Sequence, residues 1–268
     1  MRGEAEAQEP EGPDNMAGEV ADSNRQPCRA KVRLDSPRRK ARPAGGGREA
    51  RVGRQEVEIV VVGAGFGGLA MAIRLQQAGR RDFLILEKAS DLGGTWHDNT
   101  YPGCACDIPS HLYSLSFEQH PGWTRHYASQ PEILAYLKRV ADRHRLHEKI
   151  RFNTEVRGLA WDEAAGRWQI ETAGGDSLRA RVVVLGVGGL HIPRYPEIPG
   201  LRQFAGPAFH SARWRHDVDL AGKRGAVIGS GAGAVQSVPA IAPQVQSVAV
   251  FQRTPPGVLP RNDRAIAP

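Results

Sequence analysis

Apolar positions are scattered without period through the first fifth of the chain and fall into regular patterns after it. The run Ile59-Val60-Val61-Val62 reads as a buried parallel strand, because a strand covered on both faces is apolar at successive positions. A helix is expected from about Phe66 to Ala78, closed by Gly79 as its C-cap, and a second apolar strand follows at Phe83-Leu84-Ile85-Leu86. Ser129-Gln130-Pro131-Glu132 has the form of a capping box opening a helix to about Leu146, with Ile133, Leu134, Leu137 and Val140 on one face. Short strands are expected near Ile150–Asn153, Val156–Trp161 and Arg167–Thr172, the last two joined through Gly166. Gly174-Gly175-Asp176 turns the chain again, and Val182-Val183-Val184-Leu185 returns it to the parallel sheet, placing a β-meander before the returning strand. Past Gly222 the cycle restarts with Ala226-Val227-Ile228, a helix to about Ile241 and a strand at Ser247–Phe251. Strand–helix–strand cycles of this kind predict an α/β fold with parallel sheets.

Each cycle carries a glycine fingerprint between its first strand and its helix, and the two lie 166 positions apart. The first is Gly63-Ala64-Gly65-Phe66-Gly67-Gly68; the second is Gly229-Ser230-Gly231-Ala232-Gly233-Ala234. The opening glycine allows a tight turn, the second lets backbone approach a pyrophosphate, and the third lets helix and strand pack closely. The pyrophosphate would then sit at the positive end of the helix. Gly63, Gly65, Phe66 and Gly68 are thus candidate cofactor contacts, as are Gly229, Ser230, Gly231 and Ala234. Glu87 ends the second strand 19 residues after Gly68, where an acid accepts hydrogen bonds from a ribose with a free 2′-hydroxyl. The first site therefore suits FAD or NAD. At the equivalent place in the second unit stand Gln252-Arg253-Thr254. Arg253 can grip a 2′-phosphate bidentately and Thr254 can add a hydrogen bond, so this site suits NADPH.

The formal net charge of +7 is unevenly placed. Residues 25–55 hold eleven bases and two acids, a net of +9, whereas residues 1–24 are acidic. Rich in Pro, Gly, Ala and Arg, residues 1–55 are expected to be a disordered, solvated tail or sequence upstream of an internal start such as Met16, without nucleic-acid binding. Arg38-Arg39 lacks the apolar stretch of an export signal, no run is long enough to span a membrane, and a cytoplasmic location is expected. Cys28, Cys104 and Cys106 form neither a disulfide framework nor a zinc pattern, so no metal is expected.

Between the fingerprints lies Asp91-Leu92-Gly93-Gly94-Thr95-Trp96, continuing through Tyr101-Pro102-Gly103-Cys104-Ala105-Cys106-Asp107, a glycine-rich aromatic loop suited to wrap a flat ring. It resembles the GGTW…YPG…CD segment of the flavin-dependent Baeyer–Villiger monooxygenases and the related flavin-containing monooxygenases. Phe204, Gly206, His210 and Trp214 fit FxGxxxHxxxW, the fingerprint of the Baeyer–Villiger group; Arg215 departs from the Pro or Asp that often follows. Related disulfide reductases place a redox cysteine near the position of Trp96. The resemblance implies a two-dinucleotide-binding, Rossmann-like flavoprotein holding FAD and NADP. It further implies cofactor contacts from Lys88, Gly94, Thr95, Trp96, Asp107, Tyr113 and Val156, with Asp107 orienting a catalytic arginine. His210 would couple the movement of two domains. Expected boundaries are 56–192 for the first part of an FAD domain, 193–221 for a linker and 222–268 for the start of an NADP domain. That last unit is short for a two-faced sheet, so the chain is expected to be C-terminally truncated. The implied reaction inserts one atom of O2 into a ketone; N- or S-oxygenation and an inactive fragment are the alternatives.

Overall fold

The computed structural model describes residues 55–267; the expectations for the tail, Met16, Cys28 and Arg38-Arg39 fall outside them. The chain forms β1 (Gln55–Val62), α1 (Phe66–Gln77), β2 (Phe83–Leu86), α2 (Thr95–Asp98) and α3 (Gln130–Arg143). Then come β3 (Ile150–Arg151), β4 (Val156–Asp162), β5 (Arg167–Thr172), β6 (Ser177–Leu185), β7 (Arg224–Ile228), α4 (Ala232–Ile241) and β8 (Ser247–Phe251).

Six strands form one sheet in the order β3-β2-β1-β6-β5-β4, parallel from β3 to β6 and antiparallel from β6 to β4. Val60 and Val61 are both fully buried because opposite faces of β1 are covered. Ile59 and Val61 join α1, α3 and the intervening loop; Val60 packs with Leu86, Ile170, Leu178 and Ala180 on the meander side. Each such valine, leucine or isoleucine contributes roughly 1.5–3 kcal/mol by leaving water, and Ala180 less.

Two expectations need correction. The strand returning to the parallel sheet does not follow the meander but is its third strand. β6 pairs with β1 from Leu178 to Leu185 and with β5 through Ser177–Ala180 only. One strand serves both the parallel and the antiparallel part of the sheet because a strand has two hydrogen-bonding edges. The capping box is also absent. Ser129 is the N-cap of α3 without a side-chain cap bond, and Glu132 instead accepts from the Thr124 amide at 2.8 Å and its hydroxyl at 3.2 Å. A tertiary partner has claimed the carboxylate. The helix ends at Arg143, since Arg145 takes φ of 52° and turns the chain.

β7 and β8 form a separate parallel pair flanked by α4. Beyond β8 the chain runs exposed to Arg261 and then comes back to the first unit. There Ala265 bridges antiparallel to Arg125, the His126 amide donates to the Arg264 carbonyl at 2.8 Å, and Ile266 packs on the large core cluster.

Candidate functional site

Three glycine-bearing segments converge at the C-terminal ends of β1 and β2. Gly63 leaves β1 with φ of 101° and its N–H donates to the Leu86 carbonyl at 2.8 Å. A Cβ added to Gly68 would lie 1.8 Å from the Gly63 carbonyl oxygen, so α1 rests directly on the turn. Glu87 is buried there. Its Oε2 accepts from the Ala64 amide at 2.7 Å and its Oε1 from the Ala89 amide at 2.9 Å. Each carboxylate oxygen retains capacity for a further donor. Lys88 beside it is exposed.

Gly93 and Gly94 form the second segment. The Gly93 amide donates to the Ala64 carbonyl at 3.0 Å, and a Cβ on Gly65 would stand 3.5 Å from the Gly94 Cα. Thr95 is exposed, whereas Trp96 is buried and its Nε1 donates to the Tyr113 hydroxyl at 3.1 Å. Tyr113 lies edge-on to Phe66 with ring centroids 5.1 Å apart, so Phe66, Trp96 and Tyr113 form one aromatic wall. Val156 is half-buried at the start of β4, and Asp107 is exposed at the end of the loop.

Sequence reasoning missed the third segment. Gly186, past β6, has its carbonyl oxygen 2.6 Å from where a Gly63 Cβ would be, and its amide donates to the Val62 carbonyl at 2.8 Å. The glycines at 186, 188 and 189 directly after an apolar strand were the available signal.

Cys104 and Cys106 are free and buried. Burial pushes both thiols up, outweighing the Tyr101 hydroxyl at Cys104 and the Ile108 amide at Cys106. A thiol so held is a poor nucleophile for disulfide exchange.

The second unit repeats the first turn. Gly229 has φ of 111° and donates its N–H to the Phe251 carbonyl at 2.8 Å, the same bond to the same strand end as at Gly63. Gly231 is the N-cap of α4, and the Ala234 amide returns to it at 2.9 Å. Ser230 Oγ lies 3.4 Å from the Thr254 carbonyl, which sets the exposed Arg253 and Thr254 beside the glycine turn.

In the segment between the units, His210 Nδ1 accepts from the Ala212 amide at 3.0 Å and caps a 3-10 turn over Ser211–Arg213. Burial, followed by the Arg213 charge, holds this imidazole below its ordinary pKa, in keeping with an acceptor. The turn carries Arg213 to Asp98, 3.3 Å away, and His216 reaches Thr100 at 2.9 Å. Trp214 meets Phe209 edge-on at 5.2 Å; Phe204 is exposed, with Gly206 beneath its ring. Lys88, His97, Asp98, Thr100, Arg213 and Trp214 line a cleft of about 490 Å³ beside Glu87. Among the described residues no group of three or more His, Cys, Asp or Glu could hold a metal, and no helix is long and apolar enough to cross a membrane.

Two strand–glycine turn–helix units define an α/β fold with two dinucleotide-binding, Rossmann-like units. The chain belongs to the pyridine nucleotide-disulphide oxidoreductase family, whose model matches residues 60–263. Within that family its relatives are monooxygenases. It is 54% identical over 210 residues to a Baeyer-Villiger monooxygenase of Pseudomonas aeruginosa, which covers 78% of this chain and 40% of that protein. A Baeyer-Villiger monooxygenase of Streptomyces coelicolor is likewise 54% identical, over 213 residues, or 80% of this chain and 41% of the relative. Cyclohexanone monooxygenase from Rhodococcus sp. Phi1, solved bound to NADP+, superposes with a TM-score of 0.76 at 40% identity over 80% of this chain and 41% of that one. The chain thus spans about two fifths of the length of these relatives.

Proposed function

We propose that this chain is the two-nucleotide portion of a Baeyer–Villiger monooxygenase, holding FAD on the first glycine turn and NADPH on the second. One observation carries the reading: two turns that open alike, each glycine N–H bonded to the end of the following strand, end in opposite charge, buried Glu87 at one and exposed Arg253 at the other. The residues fit the groups. Gly63 and Gly68 leave no room for a side chain, which draws backbone amides together for a pyrophosphate, while open space lies over Gly229 and Gly231. Glu87 would take ribose hydroxyls, and Arg253 with Thr254 the 2′-phosphate. Phe66, Trp96 and Tyr113 would support the flavin side, with Gly94, Thr95, Lys88 and Val156 along the cofactor and Asp107 oriented toward an arginine outside this chain.

When bound, FAD reduced by NADPH supplies the O2 chemistry by which one oxygen atom enters a ketone; the protein positions, excludes water and supplies charge. The raised pKa of both buried thiols, with Trp96 in the neighbouring α2, supports oxygenation over disulfide chemistry.

The test is cofactor titration of the purified chain. FAD is expected to bind the unsubstituted chain, and Glu87→Arg to abolish it. Arg253→Ala removes a charge-assisted contact of about 1.5–3 kcal/mol, so NADP+ affinity falls roughly ten- to a hundred-fold while NAD+ affinity holds. Flavin binding unaltered by Glu87→Arg, or equal losses for the two pyridine nucleotides, would sink the assignment. Ketone, amine and sulfide substrates presented to a longer chain that carries the relatives' remaining length then separate ketone from heteroatom oxygenation.

A further inference from the structure

The loop from Tyr101 to Asp107 is fastened to the second nucleotide unit by one side chain, Gln236 of α4. Its Oε1 accepts from the Tyr101 hydroxyl at 2.9 Å and from the Ala105 amide at 3.3 Å, and its Nε2 donates to the Ala105 carbonyl at 2.9 Å. Both backbone polar groups of Ala105 are thereby tied to a residue 131 positions later in sequence. The approach is close. A Cβ on Gly103, whose φ is 80°, would lie 2.6 Å from the Gln236 carbonyl and 3.0 Å from the Ala240 Cβ. Gly233, inside the second fingerprint, has room only for Ser211 and the Tyr101 ring beside it.

The pattern demands glutamine chemically. One end must accept twice and the other must donate, which a carboxylate cannot do and asparagine is one methylene too short to do. Asp107, the candidate acid on the flavin side, stands two residues beyond the clasped Ala105. In contrast, His210 bonds within its own turn and through its amide to the Tyr195 hydroxyl, and the neighbouring Arg213 pairs with Asp98 of α2.

We propose that Gln236 is a positioning residue that transmits occupancy between the two nucleotide sites, setting the Tyr101–Asp107 loop according to whether the second unit is loaded. This inference rests on the two-nucleotide reading above. Because α4 opens at the second fingerprint and Gln236 lies on the following turn, a pyrophosphate fixed at Gly231 would fix the clasp.

The experiment measures linkage, which a merely structural side chain would leave alone. FAD is titrated into the 268-residue chain with and without saturating NADP+, for the unsubstituted protein, Gln236→Leu and Tyr101→Phe. Hydrogen exchange of residues 101–107 is followed in parallel without cofactors. In the unsubstituted chain NADP+ is expected to change the FAD dissociation constant about five-fold or more. Gln236→Leu should bind each nucleotide alone within roughly two-fold of normal while that factor falls to about one, and residues 101–107 exchange faster. Tyr101→Phe, which removes one of the three bonds of the clasp and keeps the ring, should retain part of the coupling, and serves where Gln236→Leu does not fold. Coupling unchanged in Gln236→Leu overturns the proposal and leaves the two sites standing, as does an unsubstituted chain that binds both nucleotides without coupling. Absence of FAD binding overturns the underlying reading together with the clasp.

Discussion

Adjacent glycines in α1 meet opposite fates on gaining a methyl group. At Gly67 nothing lies within 4 Å of an added Cβ, and alanine in a helix is about 1 kcal/mol better than glycine. At Gly68 the same methyl would stand 1.8 Å from the Gly63 carbonyl oxygen, a backbone atom that cannot swing aside. Gly67→Ala should therefore hold or raise the melting temperature, whereas Gly68→Ala should lower stability by about 1–3 kcal/mol or more and prise α1 from the turn. Thermal unfolding of the two variants side by side checks this; equal melting temperatures would refute the packing given for Gly68. The glycine roles were readable because each is local: a strand, a turn and a helix within ten residues leave their pattern in consecutive letters. Glu87 was readable for the same reason, its distance from the fingerprint being fixed by one helix and one strand. Gly186 is less legible, because only its neighbours at 188 and 189 mark the same strand-end context. Gln236 had no signal at all, since a lone glutamine on a helix looks like a solvated residue until the loop 131 positions earlier is placed against it.

At the scale of elements, the segment after β8 shows what periodicity leaves out. It has no strand pattern, yet it fastens to residues 124–127 through Asp263, whose carboxylate accepts from Arg125 Nε at 2.7 Å and from the Tyr127 amide at 3.2 Å. Burial alone would push this carboxyl up, but Arg125, the Tyr127 amide and Arg261 outweigh it and hold its pKa below the usual carboxylate value. A carboxyl depressed in the folded state stabilises fully above its unfolded pKa of about 3.9, and loses that contribution as pH falls toward the folded value. Asp263→Asn should thus lower the melting temperature at pH 7 and narrow its difference from the unsubstituted chain below about pH 4. A gap that persists undiminished at pH 3 would mean the strap is held by something other than this charge. The missing capping box belongs to the same scale. Ser129 and Glu132 have the right spacing, and a tertiary donor at Thr124 outbids the local one. Local rules located the start of α3 and could not say which partner its first-turn acid would choose.

For the molecule as a whole, burial is lopsided. The face of the large sheet under α1 and α3 is closed, while β6 beyond Ala180 has a partner on one edge only, and Leu185, Leu190 and Ile192 after it stand 60%, 90% and 76% exposed. Across the β7–β8 pair, Ile228 and Phe251 are more than half exposed, and Leu259 on the following stretch is 87% exposed. Monomeric proteins seldom leave so much large apolar surface and an open parallel edge uncovered. The relatives are about two and a half times as long as the portion that matches these residues. Two outcomes are expected from the 268-residue protein studied alone. It should bind a hydrophobic dye and associate with rising concentration, and Leu190→Glu with Ile192→Glu should weaken both effects without lowering the melting temperature, since neither side chain packs inward. It should also show no NADPH-dependent conversion of a ketone to an ester, because cofactor sites alone do not enclose a substrate or keep water from the reacting centre. A longer version carrying the relatives' remaining length is expected to restore turnover, read by product mass and oxygen uptake. Steady conversion of a cyclic ketone by the 268-residue chain itself would show that these open faces already suffice for catalysis.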